Sequence, residues 1–188
     1  MLKIIQAPNK VLSEKAKTIG KIDKEILTLT KEMEESLIIA KDPEGVGLAA
    51  PQVGKSLQLF LVKQTPRSPT LIFINPKIES FIDNIRENPL SISDNPEKEK
   101  GVQLEGCLSL YNIWGVVKRH PGVIVSFIDE KGEKHKKKFE GFLATIIQHE
   151  YDHLQGILFP KRVLEQNNKL YKSSRDEKGE SVFDEIEL

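Results

Sequence analysis

Apolar positions recur along this chain with two different periods. Ile22, Ile26, Leu29, Met33 and Leu37 fall every three or four residues, the spacing that lines up one face of a helix. Asp23 is the expected N-cap of that helix and Lys41-Asp42-Pro43 its stop. A second helix is predicted over 142–155, closed by Gly156, with Phe142, Ile146, His149 and His153 on its apolar face. Strands are predicted over 57–62, over 71–81 with a break at Asn75-Pro76, and over 123–129 and 134–139 about a turn at 130–133. A short strand is expected at Ile157-Leu158-Phe159, and a Gly-rich apolar loop spans 44–54.

Two stretches break the pattern. Residues 83–100 are Asn, Asp, Glu, Ser, Lys and Pro with little apolar content, and read as an exposed, mobile insertion. Residues 165–188 are polar and weakly patterned, and read as a frayed helix or disordered tail. The organisation expected is one catalytic domain over 1–164, the insertion within it, and a polar tail over 165–188. No internal repeat is evident.

Composition narrows the classes. At 188 residues, with 38% hydrophobic and 30% charged residues, the chain reads as one globular domain. Its 28 basic and 28 acidic residues cancel, which argues against a nucleic-acid binder built on a basic face. The run Lys134-His135-Lys136-Lys137-Lys138 reads as a solvated strand. With one cysteine, Cys107, no intrachain disulfide can form. The first eight residues lack the apolar core of a signal peptide, and no apolar run is long enough to span a membrane. A cytoplasmic monomer is the expectation.

The candidate chemistry sits in Gln148-His149-Glu150-Tyr151-Asp152-His153. Two imidazoles four apart share a helix face and can grip one metal ion, with Glu150 beside them to handle a proton. Cys107 is the natural third ligand, since a thiolate suits zinc or iron(II). A closed structural site needs four protein ligands, and the spare imidazoles, His120 and His135, read as a turn residue and a surface residue. A Cys-His-His set leaves a coordination position open, as catalysis requires. Asp152 reads as a residue that orients a ligand or caps a loop.

Three segments, Gly45-Val46-Gly47-Leu48-Ala49-Ala50-Pro51-Gln52, Glu105-Gly106-Cys107-Leu108-Ser109 and Gln148–Gly156, resemble the three signature motifs of the peptide deformylases, in the family's order. The resemblance implies an α+β fold, with antiparallel or mixed strands wrapped around a central helix that carries the His-Glu-x-x-His motif. It implies hydrolysis of the formyl group from the N-terminal formyl-methionine of nascent polypeptides, with N-formylmethionyl peptides as partners, at the ribosome or after it. It assigns Cys107, His149 and His153 to one divalent metal per chain, iron(II) as the native ion and zinc, nickel or cobalt as substitutes. Glu150 becomes the general acid/base, and Gln52 with the Leu108 amide the oxyanion donors. Val46 and Gly47 would pair with an extended peptide, Phe142, Thr145 and Ile146 would line the methionine pocket with Val46, and Arg119 would contact the peptide backbone.

The chain departs from the family pattern after the second motif, where Leu110-Tyr111-Asn112-Ile113-Trp114 stands in place of an early proline; Tyr111 and Trp114 are expected at the cleft rim. Two other readings remain. A His-Glu-x-x-His metallopeptidase would take its third ligand downstream, with Glu165 the near candidate. A deformylase-like module that only binds peptides would have no need of Glu150 and Gln52.

Overall fold

The computed structural model describes residues 2–40, 44–83, 104–175 and 181–187. The polar stretch expected as an insertion lies almost wholly outside them. The first helix, α1 (Lys24–Ile39), begins at Asp23, whose side chain accepts from the amides of Glu25 and Ile26. That interaction satisfies amides the helix itself cannot pair.

Strands β1 (Gly47–Ala49), β2 (Leu59–Val62) and β3 (Leu71–Ile82) follow. After them come β4 (Leu104–Cys107), β5 (Leu110–Val116), β6 (Gly122–Ile128) and β7 (Lys134–Glu140). Helices α2 (Gly141–Leu154) and α3 (Phe159–Glu165) precede a final pair, β8 (Leu170–Arg175) and β9 (Ser181–Glu185).

Two antiparallel sheets result, ordered β1-β2-β3-β6-β7 and β4-β5-β8-β9. All four residues of β2 are buried, because both faces of the first sheet are covered. Phe60 and Val62 pack with Ile147 and Leu154 of α2, Phe73 of β3, and Val123 and Val125 of β6. Leu59 and Leu61 point the other way and pack with Met33 and Leu37 of α1. This is the alternation of a strand, read on both sides. A third core, under α3, joins Cys107 to Phe159, Val163 and Leu170.

One expectation is refined and two are corrected. Strand β3 spans Leu71–Ile82, and the expected break at Asn75-Pro76 takes the form of an irregularity within it: its register with β6 shifts between Ile74 and Lys77, where Pro76 has no amide to give the ladder. Asn75 takes a positive φ of 49° and ties its side chain to the backbone N–H and C=O of Ile19, at 2.8 and 2.7 Å. Phe159 starts a helix, not a strand, since Pro160 is well placed in a first helical turn. In the C-terminal stretch, Leu170–Arg175 and Ser181–Glu185 form strands rather than a frayed helix or a disordered tail: β8 pairs with β5 and β9 with β8. Its weak pattern hid this, because an edge strand draws its order from the neighbour whose backbone groups it satisfies.

Candidate metal centre and active site

Cys107 ends β4 of the second sheet, whereas His149 and His153 lie one turn apart on α2, which packs on the first. The site therefore forms where the two sheets meet. The ligand atoms of Cys107, His149 and His153 all lie within 4.8 Å of one another. Cys107 Sγ stands 3.3 Å from His153 Nε2. All three side chains are buried or nearly so, with His149 11% exposed.

The donor set fits a soft-to-borderline divalent metal. His149 points Nδ1 at Glu105 Oε2, 3.0 Å away, which leaves Nε2 for a metal and fixes the ring. His153 Nδ1 is buried with no hydrogen-bond partner among the described residues, while its Nε2 faces Cys107 Sγ and its ring meets that of His149 edge-on. Burial opposes charge on both rings. In His149 the hydrogen bonds and charges of Cys107 and Glu105 outweigh it, and the pKa rises well above the ordinary value. In His153 burial, then repulsion from His149 and Arg119, drives the pKa well down, so the ring is neutral and can ligate.

Glu150 is buried at 3% exposure, and its Oε2 has no hydrogen-bond partner among the described residues. Burial, helped by the negative charge of Glu105 and resisted by His149 and Arg119, raises its pKa to about 7. A carboxyl group poised there can take and return a proton near neutrality. Gly47 lies directly against it: a Cβ at that position would stand 2.8 Å from Glu150 Cδ and Cγ. The glycine in the first motif is thus a requirement of the carboxylate in the third.

Gln52 is buried, with Oε1 accepting from the Ala49 amide at 2.8 Å. That bond aims Nε2 at Cys107 Sγ, 3.5 Å away, and at Ser109 Oγ, 3.3 Å away. The amide donor is therefore preset beside the ligand cluster. A cavity of about 380 Å³ opens over these groups. Val46, Gly47, Gln52, Leu108, Phe142, Thr145, Ile146 and Glu150 all line it, together with Cys107 and His149.

Arg119 requires correction. Its side chain is only 7% exposed and does not border the cavity. Nε and Nη2 donate to the two Glu105 oxygens at 2.8 and 2.9 Å, and Nη1 to Asp152 Oδ2 at 2.6 Å. A guanidinium engaged by two buried carboxylates cannot also reach a peptide. Asp152 in turn accepts from Arg162 at 2.7 and 3.1 Å.

Glu105 is the residue that sequence reasoning missed. Burial would raise its pKa, but the hydrogen bonds from Arg119 and His149 win and hold it at about 2. The available signal was an acidic residue two before the ligand cysteine, in a segment, 101–110, otherwise without charge. Of the expected rim residues, Trp114 lines the cavity, while Tyr111 is 73% exposed and borders a different one.

Glu165, the third ligand a peptidase would need, instead pairs with Arg162 at 3.0 Å and is exposed. His120 and His135 pair with Asp83 and Asp129, at 2.5 and 2.7 Å, away from the cluster.

Comparison with known proteins identifies one family. The family model described as polypeptide deformylase matches residues 1–169. Peptide deformylase 2 of Prochlorococcus marinus is 38% identical over 169 residues, 88% of this chain and 75% of that protein. The peptide deformylase of Borreliella burgdorferi is 37% identical over 179 residues, 95% of this chain and 98% of that protein. Among solved structures, a peptide deformylase from Synechococcus elongatus superposes with a TM-score of 0.72 at 34% identity, over 86% of this chain and 79% of that one. One from Thermotoga maritima gives 0.70 at 32%, over 86% and 97%.

Proposed function

The chain belongs to the polypeptide deformylase family, a family of metal-dependent hydrolases that remove N-formyl groups, and from that premise we propose the parts its residues take. Cys107, His149 and His153 hold one divalent metal, with iron(II) the native ion and zinc, nickel or cobalt able to replace it. A metal there supplies Lewis acidity toward a water and the formyl oxygen. The observation that carries this reading is the three-ligand cluster beside a Glu150 carboxylate oxygen that has no hydrogen-bond partner among the described residues, with Cys107, His149 and Glu150 all lining one cavity.

Glu150 takes the proton from the attacking water as its oxygen bonds to the formyl carbon. Gln52 Nε2 and the Leu108 amide donate to the oxygen on which charge develops. When the C–N bond breaks, Glu150 returns the proton to the departing nitrogen, leaving formate and a free amino terminus. Glu105 holds His149 in its ligating orientation, and Arg119, through Glu105, positions it in turn. Val46 and Gly47 present backbone to the extended peptide, and Phe142, Thr145 and Ile146 receive the methionine side chain.

On this reading α2 is the centre about which the strands are arranged, because it carries both histidines and Glu150 and packs against β1, β2, β6 and β7. The catalytic unit is residues 1–164. The proposed setting is the cytoplasm, with a monomer acting on nascent chains at the ribosome; no helix among the described residues is long and apolar enough to cross a membrane.

The test is formate release from formyl-Met-Ala-Ser by protein purified without oxygen, with metal content assayed in parallel. Formate in proportion to bound metal is expected. A fully metallated protein that releases none would overturn the reading.

A further inference from the structure

Trp114 is the only tryptophan in the chain, and it is held from two sides. On β5 it stands opposite Gly106 of β4, one residue before the ligand cysteine. The indole lies so close over Gly106 that an added Cβ there would meet its Cζ3 at 2.8 Å. This side of Trp114 borders the active-site cavity, on the wall built by β4 and β5 rather than the wall of α2 that carries Phe142, Thr145 and Ile146.

The other contacts come from the C-terminal hairpin, beyond residue 169, where the family match ends. Strand β8 pairs with β5 so that Trp114 faces Tyr171. Trp114 Nε1 donates to Ser173 Oγ at 3.0 Å. Phe183 of β9 meets the indole edge-to-face, with ring centroids 5.9 Å apart and planes at 90°. A second cavity, of about 220 Å³, is lined by Trp114, Ser173 and Phe183 among others. The indole is therefore a partition between two spaces, with room to swing if its hydrogen bond is lost.

We propose that the β8–β9 hairpin is a specificity element of this enzyme: through Ser173 and Phe183 it fixes Trp114 as the wall on which the peptide residues after the methionine pack. The assignment rests on the deformylase reading of the cavity. Ser173 and Phe183 are positioning residues, since they reach substrate only through the indole. Losing one hydrogen bond and one aromatic edge contact frees the wall without touching the ligands, Glu150 or the methionine pocket.

The experiment compares formyl-Met with formyl-Met-Ala-Ser on metal-loaded wild type, Ser173→Ala, Ser173→Thr and Phe183→Ala. Ser173→Ala and Phe183→Ala should raise KM for the tripeptide about three- to tenfold, the range of one lost hydrogen bond or ring contact. kcat and the kinetics of formyl-Met should stay within about twofold of wild type by the same reasoning, because the reacting groups are untouched. Ser173→Thr, which keeps the hydroxyl, should restore the tripeptide KM. In parallel, Trp114 emission of the zinc-loaded wild type should shift on titration with Met-Ala-Ser, and this readout needs no variant to fold.

An unchanged tripeptide KM in both variants would overturn the proposal. So would an equal fall in kcat on both substrates, which marks general structural support, or a silent Trp114 on binding of Met-Ala-Ser. Wild type inactive on both substrates would instead strike the deformylase reading, which keeps the two failures apart.

Discussion

Replacing Gly47 with alanine should damage turnover far more than it damages the fold. The new methyl carbon would lie 2.8 Å from Glu150 Cδ and Cγ, and nearer still to Oε1. Ordinary contact starts at 3.4 Å, so the carboxylate carbon must withdraw by at least the 0.6 Å between those distances, and Oε1 by more. What yields is the end of a side chain with open cavity beside it, so the stability cost should fall at the low end of the roughly 1–3 kcal/mol typical of overpacking. The catalytic cost is larger, because a misplacement of about 1 Å at a proton-transfer group costs about a hundredfold. That factor is about 2.7 kcal/mol of lost transition-state stabilisation. The assay is formate release with kcat and KM resolved, alongside metal content and a urea unfolding curve. Because the peptide would pair with Gly47 through backbone groups that alanine keeps, the loss should fall in kcat, with KM little changed. Wild-type kcat in a folded, metal-loaded Gly47→Ala protein would refute the reasoning. So would loss of metal in step with activity, since Gly47 is not one of the clustered ligands.

Other predictions follow from the same geometry. Cys107→Ala should leave a folded protein that no longer retains its metal on dialysis; retention at wild-type stoichiometry, read by elemental analysis, would return the peptidase alternative. Glu150→Gln should keep the metal and lose about 10²- to 10⁴-fold in kcat, the usual worth of a general acid/base. Glu105 and Glu150 should give opposite pH slopes to the stability of the metal-free protein. Glu105 is held at about 2 against an ordinary 4.5, so its contribution, about 3 kcal/mol, is complete above pH 4.5 and is lost as pH falls toward 2. Denaturant curves should therefore show the gap between wild type and Glu105→Gln narrowing from pH 5 to pH 3, and a constant gap would count against the Arg119 and His149 bonds as its source. Glu150 is raised to about 7, so the native state holds the extra proton between pH 4.5 and 7 and is destabilised as pH rises through that window. Glu150→Gln should remove that decline, and an unchanged slope between pH 5 and 8 would mean the carboxyl is not desolvated as described.

Much of this molecule was legible before any coordinates. The helical spacing of Ile26, Leu29, Met33 and Leu37 and the cap at Asp23 are local facts, and α1 follows them. The same holds for the β6–β7 hairpin, whose turn chemistry and alternation sit within 19 consecutive residues, 122–140. His149 and His153 declared a metal site because helix geometry alone brings residues four apart onto one face. Other features depended on chain segments that meet only after folding. Arg119 is basic and follows the cysteine motif, which fits a substrate contact; only the approach of β4 and α2 turns it toward Glu105 and Asp152. Glu105 gave no periodic signal of a role, because its partners lie 14 and 44 residues away. The C-terminal strands carry too little apolar alternation to declare themselves, and take their order from the open edge of β5. Propensity, capping and periodicity act over a few residues, so the local elements and the types of group available for chemistry could be read from the chain alone. Which carboxylate orients a ligand, which one is stripped of its solvent, and which glycine must stay bare for it were decided by tertiary packing, because burial and charge pairing are properties of distances between segments far apart in the chain.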